Sequence, residues 1–170
     1  MDSAKETKEQ IRNIAKEHNT DQNYTTFILG PYEPYGCRVL LTKCRNKLRD
    51  RYGITAFLED DIHISFDQTE LCNVLAGIAD LSAFIIPKNF KSDGWKTEIG
   101  QLLPKYSNKI AVYYESIRSF PVTTKNLMAS CQIYQPQIIE SKKVQSSVES
   151  VCNHINTILL KLHPFATIKS

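Results

Sequence analysis

The chain reads as an α/β protein. The expected architecture is a three-layer sandwich around a flavodoxin-like parallel sheet of about five strands, in the order 2-1-3-4-5, with an extra N-terminal helix and a long C-terminal helix. Two observations point there. Short apolar runs alternate four or five times with longer segments of helical periodicity along the 170 residues, the pattern of repeated strand–helix units. The runs are also continuously apolar, Leu81-Ser82-Ala83-Phe84-Ile85-Ile86 most of all, as strands are when helices cover both sheet faces.

In chain order, Ala4 to His18 form a polar helix with a thin stripe of Ile11, Ile14 and Ala15, capped by Asp2 or Ser3. So thin a stripe fits a helix laid on the domain surface or against a second subunit. Asn19 to Asn23 read as a linker, so residues 1–22 stand apart from a single domain over 23–170. Thr25 to Gly30 form the first strand, and Gly30-Pro31 breaks it. Gly36 to Tyr52 form a helix with Val39, Leu40, the Lys43 stem, Cys44 and Leu48 inward, and Gly53 as C-cap. Ile54 to Leu58 are the second strand, followed by the acids Glu59-Asp60-Asp61. A helix starts at Asp67 or Thr69 and reaches Ala79, presenting Leu71, Val74, Leu75 and Ile78. Leu81 to Ile86 are the third strand, closed by Pro87. A helix from Trp95, with Ile99, Leu102 and Leu103 at helical spacing, stops near Pro104. Lys109 to Tyr114 are the fourth strand. Between Ser119 and Ser130 Pro121 opens a possible helix, and Cys131 to Tyr134 offer a short fifth strand. Ser141 to Leu162 form the last helix, ended by Pro164.

Composition narrows the function. Hydrophobic residues make up 42% and charged residues 23%, ordinary for a globular protein. A net charge of +3 implies no extended nucleic-acid surface. The run Lys43, Arg45, Lys47, Arg49 and Arg51 reads as a solvated helix face, with a phosphate-binding patch as the alternative. The three acids after strand two likewise read as solvated or helix-capping, and His63 as structural. No segment reaches the ~20 apolar residues of a membrane helix, and Met1 to Asn19 is too polar for a secretory signal. Five cysteines without a CxxC pair argue against zinc and against a disulfide scaffold, and for a reducing, cytoplasmic location. No metal and no resident cofactor are expected.

The stretch Asp93-Gly94-Trp95-Lys96-Thr97-Glu98-Ile99-Gly100 is the candidate site. It follows the most apolar strand and opens a helix, at the sheet edge where α/β proteins bind ligands. In the order 2-1-3 it faces the loop after Gly30. Glu98 is then either a helix-dipole partner or a catalytic carboxylate, held ionised by the helix N-terminus. Tyr32 and Trp95 offer faces for stacking a base. Gly30 and Gly94 would let backbone close around a ligand. Each has a plainer reading: Trp95 as core, Gly94 as a source of positive φ, Tyr32 as part of a packed turn, and Asp80 as a turn residue or N-cap.

Gly30-Pro31 after strand one, Ala79-Asp80 before strand three and Gly94-x-x-x-Glu98-x-Gly100 after it resemble the nucleoside 2-deoxyribosyltransferase-like proteins, related in fold to TIR-type NAD-cleaving domains. The likeness covers roughly Thr25 to Tyr114. It implies a pocket bordered by Gly30, Pro31 and Tyr32, with Asp93, Gly94 and Trp95 as further ligand contacts. It implies Glu98 as nucleophile at a sugar C1′, and Asp80 or Asp93 orienting a ribose hydroxyl or the leaving base. Nucleosides, nucleotides or NAD become the expected ligands, NAD as substrate, and a homo-oligomer completes the pocket. Asp93 stands one residue closer to its glycine than in that family, and Trp95-Lys96 replace small residues or Phe. This departure keeps two other functions open. One is a nucleotide sensor in which Lys96 meets a phosphate. The other is an oligomerising scaffold built on the first and last helices.

Overall fold

The computed structural model describes residues 3–64, 67–88, 90–91, 93–115, 138–140 and 144–163. It is an α/β protein with a parallel sheet. The elements are α1 (Ser3–His18), β1 (Asp21–Leu29), α2 (Tyr35–Tyr52), β2 (Ile54–Phe57), α3 (Gln68–Ile78), β3 (Leu81–Ile86), α4 (Gly94–Tyr106), β4 (Ile110–Tyr114), β5 (Ile138–Glu140) and α5 (Val144–Leu162). Short 3₁₀ turns, Glu59–Asp61 and Ser107–Lys109, follow β2 and α4. The strands β2-β1-β3-β4 lie side by side in that order, all parallel, and the three-residue β5 pairs with β4. The apolar runs therefore fall in the order expected for strands one to four.

Period-two alternation divides the core. Phe27, Leu29, Phe57, Phe84, Ile86 and Val112 point to one face, where α1, α3 and α4 cover them. Tyr24, Ile28, Ala56, Ala83, Ile85 and Tyr113 point to the other, against α2 and α5. The β3 strand is buried along its whole length, which is why its sequence carries no polar alternation. The α1 helix lays Thr7, Ile11, Ile14 and Ala15 onto its own domain. No helix among the described residues is long and apolar enough to cross a membrane.

Several expectations are corrected. The polar stretch at Asn19 is not a linker to Asn23, because β1 starts at Asp21. There Asp21 N–H donates to the Gly53 carbonyl at 2.8 Å, and Thr55 donates its hydroxyl to the Asp21 carbonyl at 2.8 Å. Backbone pairing overrides polarity at this strand end. Lys43 is exposed, and the inner face of α2 is Cys37, Leu40, Leu41, Cys44, Leu48 and Arg49. Gly53 does cap α2 in the left-handed conformation, at φ 64°. Pro104 lies inside α4, two residues before its end. So late in a helix, the missing N–H removes one bond without stopping the last turn. The proposed elements between Ser119 and Tyr134, and Pro164, lie outside the described residues.

The basic run is a solvated face only in part: Lys43 and Arg51 are exposed, but Arg45 and Arg49 pack into the fold. Arg49 is buried, donates to the Ala56 carbonyl at 2.8 Å and meets Asp61 at 3.3 Å. Arg45 pairs with Asp61 at 2.9 Å, Arg38 with Asp60, and Arg51 with Glu149 at 2.7 Å. Asp61 also accepts the Leu58 N–H at 2.8 Å, closing the 3₁₀ turn. Arg38, Arg45 and Arg49 thus neutralise Asp60 and Asp61 across the α2–β2 junction, while Lys47 and Arg51 pair with Glu149 on α5. Gly100, in mid-α4, has open space where a Cβ would stand. Gly100→Ala is therefore expected to stabilise the fold by roughly 0.5–1 kcal/mol through helix propensity, read as a higher urea midpoint at unchanged slope.

Candidate active site

Parallel strands deliver all their C-terminal ends to one edge, and β1 and β3 are neighbours there. The turn after β1 and the start of α4 therefore converge. A backbone bond from the Lys91 N–H to the Glu33 carbonyl, 2.8 Å, ties the two loops together. Between them lies a cavity of about 260 Å³ whose wall includes Gly30, Pro31, Tyr32, Gly94, Trp95 and Glu98. Six of the eight residues singled out from sequence thus surround one space.

The other two are elsewhere. Asp80 precedes β3, at the opposite edge of the sheet. It accepts the Thr25 N–H at 2.9 Å and the Thr25 hydroxyl at 3.0 Å, and lies 3.3 Å from His163. Asp80 fastens β1 to the α3–β3 turn and is not a catalytic partner of Glu98. The reason is directional: a residue before a parallel strand and one after it sit a strand length apart. Asp93 occupies the N-cap position of α4 but makes no side-chain cap. Its carboxylate is 69% exposed and pairs with Lys96 at 3.0 Å, so Lys96 too is held outside the cavity wall.

Trp95 serves two ends. It is 2% exposed, belongs to the core with Ile99 and Leu103, and stands edge-on to Phe90 at 5.3 Å. Its plain reading as a core residue holds, and the same ring forms cavity wall. Gly30 departs from its expected role. A Cβ there would stand 2.4 Å from the Ile85 carbonyl oxygen and 3.1 Å from Leu41. The close approach is to β3 and α2, within the protein. Gly94 has ordinary helical φ and free space around it, so it supplies neither positive φ nor a close contact.

Two partners of Glu98 were not anticipated. Cys72, 2% exposed on α3, has its sulfur 3.6 Å from Glu98 Oε1 and 3.4 Å from Glu59 Oε2. Potential ligand atoms of Glu59, Cys72 and Glu98 all lie within 4.8 Å of one another. Burial and the Glu59 carboxylate push Glu98 up to about 7, while the thiol hydrogen bond pulls it down. Burial and the two carboxylates push the Cys72 thiol far above its ordinary range, so it is a hydrogen-bond donor here and not a thiolate. These three groups could ligate a cation only if the thiol gave up its proton.

The expectation that the helix N-terminus keeps Glu98 ionised is corrected by this geometry. Glu98 is the fifth residue of α4, and the dipole's influence fades beyond the first turn. Desolvation and a like charge then prevail. Glu59 was visible as the first of three acids after β2, and the 2-1-3 order puts that strand end beside β1. Cys72 carried no signal beyond its place on an apolar helix face. Cys72→Ala is expected to raise the Glu98 pKa further, and Cys72→Ser to restore it. NMR titration of the Glu98 carboxyl carbon measures both.

No protein-family model matches the chain, and no curated protein or solved structure matches it significantly.

Proposed function

We propose that this cavity binds a nucleoside-type ligand and cleaves or transfers its N-glycosidic bond, with Glu98 as the nucleophile. The observation that carries the reading is the Glu98–Glu59 pair on the wall of a cavity also bounded by Gly30-Pro31-Tyr32 and Trp95. An N-glycoside develops oxocarbenium charge at C1′ as its base departs, and a carboxylate set against that carbon can attack it or balance its charge. The two carboxyls approach within 4.8 Å, near the roughly 5–5.5 Å that suits direct attack by one of them without an intervening water. The Cys72 S–H orients the pair. The Tyr32 and Trp95 rings can flank a planar base.

Two protonation states give two roles. Above pH 7 Glu98 is predominantly ionised and nucleophilic; below it, the protonated form could serve only as an acid. Activity that depends on the nucleophile therefore rises through pH 7. The proposal includes the finer architecture: a three-layer, five-stranded flavodoxin-like sandwich in a cytoplasmic protein whose pocket a second copy helps to complete.

The test is mass-spectrometric detection of free base after incubation with separate pools of nucleosides, nucleotides and NAD, with Glu98→Gln as control. Base from the wild type alone supports the reading. A ligand that stabilises the fold and is recovered intact would replace it with a sensor. Silence in both channels would replace it with a scaffold.

A further inference from the structure

The opposite edge of the sheet, where the strands begin, carries a row of cations. Lys8, Arg12 and Lys16 are exposed on α1, four residues apart. The 3.6-residue turn sets them in one arc beside the buried Ile11 and Ala15, and sets Glu6, Glu9 and Glu17 in the next arc round. Among the described residues none of the three cations has an ion-pair partner, whereas Arg38, Arg45, Arg49 and Arg51 of α2 each meet a carboxylate. The net charge of +3 conceals this segregation.

Two clefts adjoin along these side chains. Lys8, Arg12 and His163 contribute to the wall of the first, and Arg12, Lys16, Tyr24 and Arg51 to that of the second. Gln22 and Asn23 border both. They come from a bulge in β1: Asp21 pairs with Ile54 and Thr25 with Thr55, so the three residues between have no counterpart on β2. A bulge re-aims side chains. Here Gln22 and Asn23 stand exposed between the clefts, while Tyr24 is 8% exposed and its hydroxyl lacks a hydrogen-bond partner. A buried hydroxyl left unpaired is uncommon and costs stability until something satisfies it.

We infer that this edge binds a single-stranded nucleic acid, its phosphates along Lys8, Arg12 and Lys16 and its bases against Gln22 and Asn23. The inference is independent of the N-glycosidic reading. Four residues of helix rise about 6 Å, so the cations form a row about 12 Å long that a phosphodiester backbone can follow. Unpaired bases present hydrogen-bonding edges, which the two exposed amides match with donors and acceptors. A chain of carboxylates would use the cations and leave the amides idle. A bound strand also offers the Tyr24 hydroxyl, on the wall of the second cleft, the partner it lacks.

The experiment is fluorescence anisotropy of labelled oligo-dT and oligo-U, each about twelve nucleotides long, titrated with the wild-type protein across about 50 to 200 mM salt. Both probes carry the phosphodiester chemistry, and the tighter one names the sugar. Three phosphates neutralised on a single strand give a slope of log affinity against log salt of about −2, roughly a fifteen-fold loss over that range. Combining Lys8→Ala, Arg12→Ala and Lys16→Ala is expected to weaken binding at least tenfold at the low-salt end and to flatten the slope, at an unchanged urea midpoint. Lys88→Ala, just beyond β3 at the other edge of the sheet, should leave affinity and slope as they are. No binding at low salt, a wild-type slope of zero, or undiminished binding by the triple variant overturns the inference. So does equal binding of a labelled glutamate oligomer or of phosphatidylserine vesicles.

Discussion

Glu98→Gln is expected to suppress base release by on the order of 10⁶-fold, the scale of removing a covalent nucleophile, while making the folded protein more stable at alkaline pH. The two effects have one origin. In the fold, Glu98 titrates at about 7 instead of its ordinary 4.5. A carboxyl raised in this way contributes stability that is complete below the unfolded pKa and is lost as pH rises through the folded one. Since a tenfold change in proton affinity corresponds to about 1.4 kcal/mol, the loss amounts to at most about 3 kcal/mol above pH 8. Glutamine keeps the shape and never ionises. Denaturation at pH 5 should then find mutant and wild type close together, and at pH 8 the mutant ahead. A mutant less stable than wild type at pH 8 would mean that Glu98 is charged and compensated, removing the physical basis of the pair.

The second large effect is at Gly30. Gly30→Ala puts a methyl group 2.4 Å from the Ile85 carbonyl oxygen, far inside contact distance and against backbone that β3 holds on both sides. Overpacking of this kind typically costs about 1–3 kcal/mol, and an immovable carbonyl puts it at the upper end. The expected result is a lower urea midpoint together with weaker ligand binding, because the turn that carries Tyr32 must move. Gly94→Ala, which meets open space, is the contrasting control and should leave stability nearly unchanged.

Sequence periodicity revealed the fold wherever packing follows period. β3 was legible to the residue because all six positions are buried and Pro87 follows. The start of β1 was not, since Asp21 to Asn23 join the sheet through backbone bonds that side-chain polarity does not report. The site was half legible. Parallel topology brought Gly30-Pro31-Tyr32 to Gly94-Trp95-Glu98, and the same logic should have removed Asp80, which lies at the wrong end of its strand. Glu59 was hidden in a charge run. Its neighbours Asp60 and Asp61 are bound by arginines, and only the three-dimensional arrangement separates the residue facing Cys72 from the two that face α2. The state of Glu98 could not be read at all, because it depends on a thiol and a carboxylate 26 and 39 positions away in the chain.

Trp95 is the one tryptophan of the chain, and it sits in the cavity wall beside Phe90. The protein consequently carries its own optical reporter at the place of interest. Its emission should be that of a shielded indole, blue-shifted in the folded state and red-shifted on unfolding, with no second fluorophore of its kind to dilute the signal. Occupancy of the cavity, movement of the α4 start and ionisation of Glu98 can all be followed from this ring without a label.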